Sequence, residues 1–113
     1  MTQSEDEMVE QLDAAITAVA SADEPYWAAV AVQGAASSFM TELGLAYRLY
    51  WMWSELTDWY ELKDDERPEA VAAMRRAADE WRAVGADSKG RDAYLDRWMF
   101  DVLGLDPKLG REF

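Results

Sequence analysis

The chain contains no cysteine and no histidine. These two absences exclude disulfides, thiolate nucleophiles, imidazole acid–base catalysis, the usual zinc ligand sets and the Glu-x-x-His pattern of di-iron bundles. Glycine is sparse and scattered, so no phosphate-cradling loop forms, and no Asp-x-Asp-x-Asp-Gly calcium loop occurs. A membrane-spanning helix needs about 20 apolar residues. The longest uncharged stretch, Pro25 to Thr41, has 17 residues and includes Gln33, Gly34, Ser37 and Ser38.

Positive charge is scarce in the first part of the chain. No lysine or arginine precedes Arg48; residues 1–69 hold 15 acidic and 3 basic side chains, and residues 70–113 hold 8 of each. The whole net charge of −12 therefore resides in the first segment. Adaptation to high salt would acidify the surface evenly, and binding nucleic acid directly would call for a basic patch. Neither pattern is present. The opening run MTQSEDEMVEQ is acidic where a secretory leader is positive, so the expected location is the cytoplasm, away from membranes.

Half of the 113 residues are apolar, enough for one domain with a real core. Their spacing is helical throughout, and no alternating strand pattern occurs. The expected fold is all-α, a compact bundle of four or five helices, with residues 1–4 and 105–113 less ordered. Ser4 and Glu7 form a capping-box pair ahead of a first helix over about 5–21, whose apolar side is Met8, Leu12, Ala15, Ile16 and Val19. Asp23 is the expected cap of a second helix with Pro25 in its first turn. That helix is apolar all round, the mark of burial on most sides, and Trp27 is placed in the core. A bend or break is expected between Gly34 and Ser38, then an aromatic helix over about 39–62; Gly44 is a further candidate break, and one continuous helix over 24–62 is the alternative.

Asp65 is the expected cap of a helix over about 66–84, with Arg75–Asp79 and Arg76–Glu80 pairs on its outer side. Gly85 stops it, and Asp87 or Ser88 caps a last helix over about 89–103. The expected core includes Leu12, Ile16, Leu49, Met52, Leu56, Met74, Trp81, Trp98 and Val102.

Two features stand apart from this core. Asp6, Glu10 and Asp13 line the outer side of the first helix with no nearby basic residue to neutralise them. On the aromatic helix, Tyr47, Tyr50 and Trp51 point away from the apolar stripe, together with Asp58. Aromatic side chains of this kind concentrate binding energy at protein interfaces. The expected function is a small, acidic, non-enzymatic protein that binds a partner with a basic surface and modulates or inhibits it. A nucleic-acid-handling complex is one such partner, because carboxylates can occupy a groove built for phosphates. Another helix of the same chain and pairing with an identical subunit are the other ways to cover these rings. The alternative is a helical module for a small apolar or cationic ligand, held by Tyr47 and Trp51 with Glu55 and Asp58. No cofactor or metal is expected. The acidic runs 5–7, 64–66 and 79–80 are neighbours in sequence and splay outward on helices rather than pairing for catalysis.

Overall fold

The computed structural model describes residues 4–105. Of the ends expected to be less ordered, only Ser4 and Leu105 lie within the described residues, and each makes a hydrogen bond. Ser4 Oγ accepts from the Glu7 amide at 3.2 Å, and the Leu105 amide donates to the Met99 carbonyl at 2.8 Å.

Five helices follow one another, and no strand occurs among the described residues: α1 (Glu5–Ser21), α2 (Pro25–Phe39), α3 (Gly44–Leu62), α4 (Arg67–Val84) and α5 (Ser88–Asp96). A 3-10 turn, Asp64–Glu66, precedes α4, and a π-helical stretch, Arg97–Val102, extends α5. The architecture is the expected all-α bundle. α1 packs on α2 and α4, α3 lies against α2 and α4, and α5 lies across α3 and α4. One buried cluster draws on all five helices, from Leu12 and Ile16 through Val32, Trp53 and Met74 to Leu95.

Each helix follows from its apolar spacing, and each departure has a local cause. α1 buries Met8, Leu12, Ile16 and Val19, a stripe at intervals of three and four. α2 buries Pro25, Ala29, Val32, Ala36 and Phe39. This stripe runs straight through Gly34 and the serine pair, so the expected bend is absent there. Ser38 Oγ donates to the Gly34 carbonyl at 3.1 Å, staying within the helix rather than breaking it. The break falls at 40–43, where the Glu42 and Leu43 amides donate to the Phe39 carbonyl and Leu43 turns extended.

Two expected caps are replaced. Glu24 and Glu66, not Asp23 and Asp65, precede α2 and α4, and neither makes a side-chain cap bond. A proline in each first turn removes one orphan amide, so a cap has less to satisfy. The Glu66 carboxylate instead accepts the Trp59 indole N–H at 3.0 Å. Arg75 does not pair with Asp79, because its guanidinium donates to the Ala20 carbonyl at 3.3 Å, closing the end of α1. Asp79 faces Arg82, whereas Glu80 takes both Arg76 and Arg97.

Val102 was expected in the core but is 42% exposed. The Leu103 amide reaches back five residues to the Trp98 carbonyl at 2.9 Å, and this wider turn rotates Val102 outward.

Tyr94 shows how tightly the α4–α5 junction is closed. It is buried, and its hydroxyl donates to the Ala77 carbonyl at 2.8 Å. Burial, and then the negative charge of Glu80, push its pKa far above the ordinary tyrosine value. The folded state therefore holds this proton more tightly than the unfolded chain does. The resulting stability is intact below the unfolded value of about 10 and declines as pH climbs above it. Wild type is expected to lose up to about 1.4 kcal/mol per pH unit there beyond what Tyr94→Phe loses. At neutral pH the variant should be the weaker by about 0.5–1.5 kcal/mol, the worth of one hydrogen bond. Urea midpoints for both proteins between pH 8 and pH 11.5 check this, and parallel curves would count against it.

Candidate functional site

The acidic side of α1 begins with three carboxylates, Glu5, Asp6 and Glu7, in the first turn, where the helix dipole favours negative charge. Asp6 and Glu10 are exposed, as expected of an outer stripe. Asp13 is also solvent-facing but has a second role, since it accepts the indole N–H of the buried Trp81 at 2.8 Å. It ties α1 to α4 and is not a free member of the stripe. Arg48, the first cation of the chain, is spent on Asp92 and Asp96 at 3.1 and 2.8 Å. The carboxylates of α1 and of the turn into α2 have no ion-pair partner among the described residues.

The outer aromatics of α3 are less open than expected. Tyr47, Tyr50 and Trp51 are all half-buried. Trp51 meets Tyr50 edge-on at 5.6 Å and Tyr47 at 6.5 Å, and Tyr50 and Trp51 pack on the rim of the core. The Trp51 indole nitrogen is buried without a hydrogen-bond partner. Asp58 is exposed and lines a shallow cleft of about 160 Å³ with Glu55, Trp59, Leu62 and Lys63. A second cleft of about 160 Å³ brings Glu55 and Trp59 to Val102 and Leu103. Tyr47 and Trp51 line neither of these two clefts. Partial burial, and then repulsion from Asp58, raise the Glu55 pKa above the ordinary carboxylate value.

Among the described residues, the most exposed aromatic is one that sequence reasoning placed in the core. Trp27 is 65% exposed. It lies two residues before Ala29, on the side of α2 opposite its buried stripe. Ala31, Gly34 and Ser38 fall within about 60° of it around the helix, and all three are exposed. Pro25–Phe39 carries no charge at all, so this outer side is an uncharged strip of Trp27 with small residues. Asp23 and Glu24 stand at one end of it and Glu42 just beyond the other, all exposed. The only hint in the sequence was weak: Gly34 and Ser38, among the least apolar residues of the helix, lie on Trp27's side.

Trp27 is held at its base by a column of rings. Tyr26 meets it edge-on at 5.0 Å and stacks on Tyr60 at 4.4 Å, with the Tyr26 hydroxyl donating to Glu61 at 3.0 Å. Burial first, and then Glu61, raise the Tyr26 pKa. A cleft of about 370 Å³ opens beside this column, with Asp23, Glu24, Trp27, Tyr60, Val71 and Arg75 among its walls. Such a volume is in the range of small-ligand sites.

Among the described residues, no group of three or more carboxylates could hold a metal ion, and no helix is long and apolar enough to cross a membrane. Compared with known protein families, curated proteins and solved structures, the chain matches none.

Proposed function

We propose that this chain is a small, acidic, non-enzymatic protein that binds a partner protein through a basic surface on that partner and modulates it. The observation that carries this reading is Trp27, exposed on a charge-free helix side whose ends are marked by unpaired carboxylates. Covering a ring of this size gains about 1.5–3 kcal/mol, and its bracing by Tyr26 leaves little side-chain freedom to lose on binding. The acids supply attraction at a distance, and Trp27 with the uncharged strip around it supplies short-range contact. A second copy of this chain fits less well, because it would bring Asp23, Glu24 and Glu42 against carboxylates of its own kind. A protein that handles nucleic acid offers the complementary surface, a groove built for negative charge.

Photocrosslinking from position 27, with position 82 on α4 as control, tests the reading in native lysate. One dominant adduct is expected from position 27 alone, weakening as salt is raised to about 0.5 M. Gly34→Gln should abolish it. Nothing lies within 4 Å of a Cβ built on Gly34, and a helix-interior glycine costs roughly 0.5–1 kcal/mol, so this variant keeps its fold while obstructing the strip. The same adducts from both positions, or none from either, would refute the reading.

The alternative, a module for a small apolar or cationic ligand, is favoured by one observation, the 370 Å³ cleft beside Trp27.

A further inference from the structure

We propose that this cleft receives one guanidinium or alkylammonium head, presented by an arginine or lysine side chain of the partner. The proposal rests on the protein-binding reading for the source of the cation, and on the cleft alone for its chemistry.

The ring column is the first ground. The Arg67 guanidinium already sits 4.8 Å over the Tyr60 ring, Tyr60 stacks on Tyr26, and Tyr26 abuts Trp27. One end of the column is thus closed by a cation of the chain itself, and the other end, Trp27, is open. Tyr26 donates its hydroxyl proton to Glu61, which enriches the ring and strengthens its pull on a positive charge. Indole is the best of the aromatic faces for this purpose.

The second ground is the unspent negative charge at the mouth. Asp23 and Glu24 line the cleft, neither joins an ion pair, and Glu24 makes no side-chain bond to the α2 amides it precedes. Carboxylates beside aromatic faces attract organic cations through both direct charge and the ring quadrupole.

Among the described residues Arg75 is the one cation in the wall, and its charge is partly countered by a backbone carbonyl. Its guanidinium donates to the Ala20 carbonyl, at the negative end of the α1 dipole. An anion placed against it would also have to face Asp23 and Glu24. The balance of two carboxylates against one committed guanidinium favours a positive guest.

The test follows the indole N–H resonance of Trp27 by NMR, assigned through its loss in Trp27→Phe. Four probes are titrated: the N-acetyl amides of arginine, lysine, citrulline and glutamate. Citrulline is nearly isosteric with arginine but neutral. Saturable shifts are expected with the arginine or lysine probe, and binding about fivefold or more weaker with citrulline. Asp23→Asn with Glu24→Gln should weaken the cationic probes by a similar factor of about five. Both residues are exposed and neither caps α2, so the double variant keeps its fold. Equal binding of citrulline would make the cleft a purely apolar slot, and preference for glutamate would make it an Arg75 anion site. Either result, or no saturable shift with any probe, overturns the proposal.

The crosslinked adduct decides the source of the cation. Loss of the adduct when saturating arginine amide is present during irradiation assigns the cation to the partner. Probe binding that leaves adduct formation unchanged overturns that assignment and leaves a receptor for free small cations. Probe binding with no adduct at all sinks the protein-binding reading and keeps the site. An adduct that forms although no probe binds keeps the reading and sinks the site.

Discussion

Replacing Trp81 by alanine is expected to cost the fold about 3–5 kcal/mol, a large share of the roughly 5–15 kcal/mol that holds a domain together. Trp81 is only 1% exposed and joins three helices at one point. From α4 its indole N–H reaches Asp13 on α1 at 2.8 Å, and its ring meets Tyr94 of α5 edge-on at 5.7 Å. The Arg91 guanidinium, also on α5, lies over the indole face at 4.6 Å. Alanine removes all of these contacts and leaves a void between elements that cannot collapse independently. Trp81→Phe separates the contributions. It keeps an aromatic ring in the site but forfeits the bond to Asp13, and should cost about 1–2 kcal/mol, because the freed carboxylate can turn to water. Urea unfolding followed by far-ultraviolet circular dichroism measures both. A loss below about 1 kcal/mol for the alanine variant would mean that the ring is not a keystone of the packing.

The parts of this fold that were legible in the sequence are those in which local pattern and tertiary packing agree. α1 and α4 carry a clean apolar stripe and charged outer sides, and Leu12, Ile16, Met74 and Trp81 are buried as their spacing predicts. α2 offers no such contrast. With apolar or small residues all round, its periodicity fixes no phase, so helical spacing together with the usual burial of tryptophan places Trp27 inward without warrant. Trp27 points outward because the neighbouring helices accept the smaller Ala29, Val32 and Ala36 at close approach. Val102 was misplaced for another reason: a widened π turn has no residue signature, yet it shifts every later side chain around the helix.

The candidate site divides in the same way. Charge asymmetry is a property of composition and could be read directly, whereas the partners of individual charges depend on residues far away in sequence. In a helical projection Asp13 is indistinguishable from Asp6 and Glu10. Only the fold brings an indole 68 positions downstream to within 2.8 Å of its carboxylate. The aromatics of α3 illustrate the converse, since Tyr50 and Trp51 leave the central stripe but are still half-covered at the core's edge.

That distinction shapes the experiment on the acidic side of α1. Asp6→Lys together with Glu10→Lys is expected to cost no more than about 1–2 kcal/mol of unfolding free energy, because both carboxylates are exposed and unpaired and the main loss is Asp6's interaction with the helix dipole. Asp13→Lys is expected to behave differently. It places a cation against the Trp81 N–H and should cost about 1–3 kcal/mol through the lost acceptor, so it belongs in a separate variant. If the α1 face guides a basic partner into contact, the double reversal should slow association by about tenfold or more at low salt, since steering of this kind raises encounter rates by 10–10³. The wild-type rate should fall as salt rises, with screening over about 8 Å at physiological ionic strength. Trp27→Ala should act on the other rate, speeding dissociation, because a buried anchor sets residence time more than encounter. Stopped-flow or surface-based kinetics on the partner recovered through position 27, at two salt concentrations, separates these effects. An unchanged association rate in the double reversal would reduce the α1 acids to a solubility face, and would leave Trp27 and the uncharged side of α2 to carry recognition alone.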